Sequence, residues 1–530
     1  LFENGYNINL ADFFLTFSDN FGLLDLKIVR ETGGFMKKYQ NFINGKLMDS
    51  KSGRTFENRN PANWDEIVGV FPKSSVDDLN LAIAAAKKAY MKWRRMPWPK
   101  RSEIMRKAAE IMIQKKEDVA QIMTREMGKV IKETRGDMQE GIDTALYAGT
   151  EGRKYFGYTL PSELPHKSCM TRRDPMGVWG LITPWNFPIA IPSWKIFPCL
   201  LSGNTAIIKP ATDTPASVGE LAQILHEAGL PDGVLNVVYG GGGEIGEGLL
   251  NHPDIAGISF TGSSDIGMRI GEVCGKTLKR CSLELGGKNG QVVLKDASLE
   301  LAVDGALWGA FGTTGQRCTA TSRLIVEEPV YDKFVDMLKA RTEKLKLGNG
   351  LNEDIDIGPT VSKSQRESIH SYVEIGKKEG AKLITGGEFY TEGECAKGWF
   401  YRPSIFIDVL PTMRIAQEEI FGPVLSVIKA KNFEEAMEIL NGTVYGLSSS
   451  IYTNDLNLAH RAIELAETGI VYINAPTIGA ECHLPFGGMK HTGNGHREGG
   501  WTAYEIFTEI KTVYIDYSGT LQKAQIDTWD

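Results

Sequence analysis

The amino-acid sequence predicts an α/β protein built on parallel sheets with helices packed on both faces. Three observations carry that expectation. From residue 177 onward short β-rich runs take turns with helical ones: GVWGLI, NTAIIKP, SVGELAQILHEAGL, GVLNVVYG, EIGEGLLNHP, GISFTG and DIGMRIGEVCG. Strand and helix in alternation imply a parallel sheet covered on both sides. The alternation resumes after Cys318 with RLIVEE, VYDKFVDMLKARTEKL, AKLITGG and EEAMEILNG, so a second α/β domain is expected. At 530 residues the chain also exceeds the roughly 250–300 residues at which a single core stops growing.

The elements follow in order. The chain opens on Leu1, whereas Met36 begins MKKYQNFINGKL and reads as a natural start. Residues 1–35 lack the basic, apolar and small-residue order of a secretory signal and are read as a non-native or unusual extension. Between about 76 and 150, SVDDLNLAIAAAKKAYMKW and its successors repeat apolar residues three or four apart behind a Ser/Asp start, which predicts long amphipathic helices. The most apolar stretch, 177–203, approaches membrane length. Asn186, Lys195 and Pro184, Pro188, Pro192 and Pro198 interrupt it, so a loop and a buried helix are expected rather than a span. No repeat array or long linker is present, and the domains should interleave closely.

Composition narrows the function. Hydrophobic and charged fractions of 42% and 24% are those of an ordinary globular chain, outside the disordered, collagen-like and membrane classes. A formal charge of −7 leaves no basic field for nucleic acid. Seven cysteines form no CxxC pair, and their odd count fits a reducing, cytoplasmic compartment with no structural metal.

Several stretches carry chemistry. GGGEIG (241–246), with Gly242 and Gly246, follows a strand-like run and precedes a helical one. It is either a phosphate-binding loop or a tight strand-to-helix turn. In GISFTGSSDIG (257–267) the first turn of a helix can present backbone amides and Ser263 to a pyrophosphate, or Ser263 is simply an N-cap. Lys209 closes the strand NTAIIKP, at the sheet edge where α/β folds bind ligands, and Thr212 stands three positions on where a carboxylate would repel a 2′-phosphate. NADP should therefore be accepted. Glu284, inside CSLELGGKN, is an acid in an apolar run; burial would raise its pKa and suit proton abstraction. Cys318 lies among Gly, Thr, Gln and Arg in FGTTGQRCTATSR, not in an apolar pocket, and a following helix would lower its pKa to give a reactive thiolate.

Together these stretches resemble the aldehyde dehydrogenase superfamily: PWNFP (184–188), KPATDTP (209–215), FTGS (260–263), LELGGK (283–288), GQRC (315–318), EEIFGP (418–423) and PFGGMK (485–490) occur in the family's order. The resemblance runs from about Phe42 to Val513 and implies an aldehyde dehydrogenase-like fold. A Rossmann-type cofactor domain would comprise 36–152 and 176–286, a catalytic domain 287–492, and an oligomerisation sheet 153–175 with 493–530. It also implies a homodimer or homotetramer, a small-molecule aldehyde substrate, and NADP, preferred or shared with NAD.

For the reaction, the resemblance implies attack by Cys318, an oxyanion held by Asn186, and water activated by Glu284, the residue that the acyl-CoA-forming branch lacks. Glu419, Phe421 and Trp185 would surround the nicotinamide ribose and ring, while Lys209 and Ser263 would meet adenosine ribose and phosphate. Phe187, Ile191, Trp194, Gly312, Arg317 and Thr319 match the family's substrate lining. Gly312 implies room near the thiol, and Arg317 either meets a substrate carboxylate or faces a neighbouring helix. KHTGNGHRE (490–498) holds one residue more than the family pattern, which leaves Arg497 and Glu498 without an assigned role. That spacing is similar to the α-ketoglutaric semialdehyde dehydrogenases.

Overall fold

Helices α1 (Val76–Trp93), α2 (Trp98–Gln114), α3 (Lys116–Met127) and α4 (Ile131–Glu151) occupy the stretch with helical spacing. α1 begins at the Ser/Asp start, where the Asp78 carboxylate accepts the Ser75 backbone N–H at 2.9 Å, one half of a capping box. Its Leu79, Ala82, Ile83 and Ala86 are buried, an apolar stripe at three-and-four spacing. The computed structural model describes residues 28–31, 34–154 and 156–526, so the reading of residues 1–35 lies for the most part outside the described residues.

The first sheet contains β1 (Asn41–Ile43), β2 (Lys46–Met48), β3 (Val178–Ile182), β4 (Thr205–Lys209), β5 (Leu235–Val237), β6 (Ile255–Thr261) and β7 (Arg280–Glu284). Their order is β7-β6-β3-β4-β5-β1-β2. From β7 to β5 all neighbours are parallel, and β1 and β2 extend the sheet antiparallel. Helices α5 (Ala190–Leu201), α6 (Ala216–Glu227) and α7 (Ser264–Thr277) lie in the connections. Every position of β3 and β4 is buried, as central parallel strands require. Trp179 and Leu181 enter the core shared with α2, α5 and α6, while Val178 and Ile182 enter the core beneath α1 and α7. The apolar stretch 177–203 is thus a buried strand, a loop and a buried helix, and no helix among the described residues is long and apolar enough to cross a membrane.

Order in this sheet reverses at β3: the chain places β4 and β5 on one side, then returns to set β6 and β7 on the other. The reversal opens a crevice at the carboxyl ends of β3 and β6, the position at which doubly wound sheets take their ligands. A second sheet holds β8 (Asn289–Val293), β9 (Thr321–Glu327), β10 (Lys382–Thr385), β11 (Ser404–Ile407), β12 (Val424–Ala430), β13 (Ser448–Tyr452) and β14 (Ile470–Ile473), in the order β10-β11-β12-β9-β8-β13-β14. Only the β10–β11 pair is antiparallel. Helix α8 (Leu299–Phe311) leads from β8 toward Cys318. A three-stranded antiparallel sheet joins Thr159–Leu160, Lys167–Pro175 and Thr508–Asp516, with the last strand at an edge.

Glu126 ties the helical layer to the sheet. It is fully enclosed, and its carboxyl accepts the backbone N–H groups of Ala216 at 2.8 Å and Ser217 at 3.0 Å, together with the Ser217 hydroxyl, at the start of α6. Removing it strands two buried donors, each of which costs about 1–3 kcal/mol when unpaired. Glu126→Ala should therefore lower the stability read from urea unfolding by about 2–6 kcal/mol. An unchanged midpoint would show that the start of α6 finds other acceptors.

Candidate active site

Loops at the crevice bring the site together. The turn after β3 carries Trp185, Asn186 and Phe187, and α5 follows with Ile191, Trp194 and Lys195. The loop after β6 delivers Gly262 and Ser263 to the start of α7, while β7 ends in Glu284. Between α8 and β9 the chain makes a tight turn in which Thr313 and Thr314 take left-handed φ of 52° and 57°, and Cys318 comes next. Two cavities meet at its sulfur. One, of about 220 Å³, is walled by Trp185, Asn186, Ser263, Glu419 and Phe421; the other, of about 120 Å³, by Phe187, Ile191, Trp194, Glu284, Arg317 and Thr319. Cys318 lines both.

The expected lowering of the thiol pKa is overturned. No helix follows Cys318; the chain enters β9 at Thr321, so no N-terminal dipole faces the sulfur. Burial first, and then the Glu419 and Glu284 charges, push the thiol up to about 12. Asn186 is 2% exposed, and its amide donates to the Gln316 carbonyl at 3.1 Å, which fixes the side chain beside the cysteine loop. Its Oδ1 has no partner among the described residues.

Glu284 is buried as expected, and both of its carboxyl oxygens are enclosed and without hydrogen-bond partners among the described residues. Burial and the neighbouring Glu498 charge raise its pKa well above the usual carboxylate range; Lys195 and Arg497 oppose them. Gly487, at φ 149° in PFGGMK, makes room: a Cβ there would lie 2.6 Å from Glu284 Oε1. Glu419 accepts the Gly287 N–H at 3.0 Å, and burial lifts its pKa to about 7. Phe421 sits at φ 55°, edge to face with Trp185 at 5.2 Å, and its carbonyl accepts from Gln365 at 2.8 Å.

Sequence reasoning left Glu498 without a role and treated Lys195 only as an interruption in an apolar run. They form a buried pair: Lys195 Nζ reaches the Glu498 carboxylate and donates to Ser259 Oγ at 2.9 Å. The segment with the extra residue is laid across the end of β7 by hydrogen bonds from Leu285 N–H to the Thr492 carbonyl and from Leu283 N–H to Asn494 Oδ1. A charge inside so apolar a helix was the available signal; its partner, 303 positions away, was not.

Other expected residues lie apart from the junction. Gly312 lines neither cavity at the thiol: it caps α8 and lines a separate depression with Trp308 and Glu133. Arg317 faces the neighbouring helix α4, 3.0 Å from Glu133 Oε1, while also touching the second cavity. Lys209 is not solvated; its Nζ donates to the Pro210 and Gly240 carbonyls at 2.8 and 3.3 Å, and burial lowers its pKa to about 8. Thr212 is exposed nearby, but the adjacent Asp213 adds a carboxyl that the reading of Thr212 omitted. Gly242 and Gly246 bound a π-helical turn, and a Cβ on either would meet nothing within 4 Å, so no close backbone crossing explains them.

The first cavity fits a nicotinamide dinucleotide. Ser263, the N-cap of the 14-residue α7, has an extended backbone and no side-chain capping bond, while the enclosed Thr261 hydroxyl lacks a partner among the described residues. Free donors at a helix N-terminus suit a pyrophosphate. From there the cavity runs to Cys318.

A doubly wound sheet with a dinucleotide crevice, opening on a half-buried cysteine and a glutamate without a hydrogen-bond partner among the described residues, defines an oxidoreductase of the thiol-dependent kind. The chain belongs to the aldehyde dehydrogenase family, whose pattern it matches over residues 47–513. It is similar to the α-ketoglutaric semialdehyde dehydrogenase of Bacillus subtilis (strain 168), 43% identical over 90% of this chain and 98% of that one. Among solved structures it resembles an NAD-dependent aldehyde dehydrogenase from Sinorhizobium meliloti, at 37% identity and a TM-score of 0.89 over 92% of this chain and 96% of the other. An NADP-dependent enzyme of E. coli matches at 35% identity and a TM-score of 0.87 over 90% and 98%. The chain is an NAD(P)-dependent dehydrogenase that oxidises an aldehyde to its acid.

The raised thiol pKa has a measurable consequence. Below about 12 the thiolate fraction grows tenfold per pH unit, so alkylation of Cys318 by iodoacetamide in the cofactor-free protein should quicken about tenfold per unit between pH 7 and 9. Peptide mass spectrometry follows that one cysteine. A rate flat across this range would mean that the sulfur is already ionised.

Proposed function

We propose that the chain oxidises α-ketoglutaric semialdehyde, or an ω-oxo acid close to it, through a thioester on Cys318. The observation that carries the mechanism is the meeting of the two cavities at one sulfur, with Asn186 on the cofactor side and Glu284 on the aldehyde side. The relative from B. subtilis, together with the motif spacing after PFGGMK, supports the substrate.

The deprotonated sulfur of Cys318 attacks the aldehyde carbon. Because burial keeps the thiol neutral, its proton must leave to solvent as the site loads. The Asn186 amide and the Cys318 backbone N–H hold the oxyanion of the thiohemiacetal. NAD or NADP bound in the first cavity supplies the hydride acceptor. Glu419 would hold the nicotinamide ribose, and Phe421 and Trp185 would flank the ring. Glu284 then takes a proton from the water that attacks the Cys318 thioester; the acid leaves and the sulfur is free again. Ser263 and the first turn of α7 would hold pyrophosphate, with Lys209 and Thr212 near the adenosine ribose. Thr212 carries no charge to repel a 2′-phosphate, which supports use of NADP beside NAD, although Asp213 offsets part of the attraction of Lys209.

In this reading residues 36–152 and 176–286 form the cofactor domain, 287–492 the catalytic domain, and 153–175 with 493–530 the oligomerisation region. The edge strand Thr508–Asp516 exposes Ile510, Tyr514 and Ile515, a surface suited to pairing with a second copy. Seven free cysteines support a cytoplasmic location.

Glu284→Gln should release one NAD(P)H per site in a burst and then turn over about 100-fold or more slowly, because only hydrolysis loses its base. Stopped-flow absorbance resolves the two phases, and a variant with no burst would place Glu284 before hydride transfer. Replacing Thr212 by Glu should raise the KM for NADP about tenfold or more while the KM for NAD changes far less. Equal losses would move the adenosine site elsewhere.

A further inference from the structure

The second cavity contains a carboxyl for which the oxidation chemistry has no use. Glu140, half-buried on α4, lines it together with Phe187, Arg317 and Cys318. Glu133, Asp137 and Glu140 follow one another at intervals of four and three, so one stripe of the helix carries three acids. Two of them are matched. Glu133 Oε1 lies 3.0 Å from Arg317 Nη2 and accepts the Thr313 N–H at 2.7 Å. Asp137 is 2.7 Å from Lys129 Nζ, with both side chains fully enclosed, and accepts the Ala190 N–H at 2.7 Å. The two cations also pack on Phe187, at 3.5 Å for Lys129 and 5.4 Å for Arg317 from the ring centre. The Glu140 side chain takes no hydrogen bond or ion pair among the described residues.

Every group that faces Glu140 is accounted for. Asp137 and Asp143 on its own helix repel a negative charge there, and Lys129 and Arg317 attract it, though each of these cations already has a carboxylate partner. Tyr472 and Cys482 are near enough to feel its charge, and Glu284 and Glu498 line the same cavity. Lys129 and Arg317 are matched by Asp137 and Glu133, so an ionised Glu140 would add a second uncompensated negative charge to that of Asp143. A protonated Glu140 adds none and places an O–H donor at the cavity wall. Burial, followed by the Asp137 charge, lifts its pKa to about 8.

We propose that Glu140 sets the substrate class, its carboxyl donating a hydrogen bond to the carboxylate or keto oxygen at the far end of an ω-oxo acid while the aldehyde end meets Cys318. This deepens the oxo-acid reading given above and rests on it. The logic is that a cavity whose cations are neutralised by their own partners can still hold an anion through a neutral donor, because the anion returns a charge-assisted hydrogen bond. The same donor disappears when Glu140 ionises, and the wall then repels the substrate it held.

Steady-state kinetics on the full enzyme tests this with three aldehydes of similar length: 2,5-dioxopentanoate, an unbranched alkanal, and a quaternary-ammonium aldehyde. With a pKa of about 8, the protonated fraction falls roughly tenfold from pH 7 to pH 9. The KM of the wild type for the oxo acid, relative to that for the alkanal, should therefore rise about tenfold over that interval. Glu140→Gln keeps an N–H donor and should flatten this ratio against pH. Glu140→Ala should cut the kcat/KM preference for oxo acid over alkanal about tenfold or more at pH 7. Turnover of any of the three aldehydes shows that a variant folds. A Glu140→Gln enzyme that retains the wild-type pH profile overturns the role of Glu140 alone. A wild type that prefers the alkanal to the oxo acid at every pH overturns the substrate reading beneath it. A gain in oxo-acid preference on Glu140→Ala, with loss of the cationic aldehyde, would show an ionised Glu140 selecting cations instead.

Discussion

Burial of ionisable groups around a single sulfur is the constraint on which the site depends. Cys318, Glu284 and Glu419 each sit where water is scarce, and in each the dominant effect is the cost of carrying charge there. The consequence is a thiol that stays protonated at rest, beside two carboxyls that take up a proton more readily than exposed ones do. Chemistry then becomes a matter of moving protons between a few groups in a fixed order, with solvent excluded except where water is the reactant. Such a site also resists oxidation and adventitious alkylation between turnovers, because the nucleophile is a thiol until substrate arrives.

Sheet topology makes that enclosure possible. The reversal of strand order at β3 brings the loops after β3 and β6 to one crevice, and the second sheet closes over it with the loop before β9. Neither sheet alone could bury the sulfur. Glycines manage the tightest approaches: Gly286 and Gly487 stand where side chains would collide with the Glu419 and Glu284 carboxyls. The buried Lys195–Glu498 pair joins α5 to the segment across β7, so the elements that frame Glu284 are held by a charge pair that would be costly to break on one side only.

Much of this was legible in the sequence. The alternation from GVWGLI onward announced both parallel sheets because buried parallel strands read as short apolar runs between helices, and the N-terminal helices announced themselves by periodicity. Glu284 was legible because an acid between leucines at a strand end has little choice but burial. What local pattern could not convey was long-range pairing. Nothing near Lys195 points to Glu498, and Arg317 meets Glu133 only because α4 packs beside the cysteine loop. The ionisation of Cys318 was misjudged for a related reason: polar neighbours in sequence suggested a polar setting, yet the fold encloses the sulfur and the next element is a strand, not a helix. Gly312 likewise matched a substrate-lining position in sequence and lines a different depression in space, beside Trp308 and Glu133.

Covalent capture on Cys318 is the central claim, and rapid acid quenching of the enzyme during turnover of an aldehyde, with digestion and mass spectrometry, addresses it most directly. The account predicts one acyl group, the substrate less its aldehyde hydrogen, on the peptide that carries Cys318. Steady turnover with the acyl group found on another cysteine, or on none while a Cys318→Ala enzyme keeps pace, would contradict it.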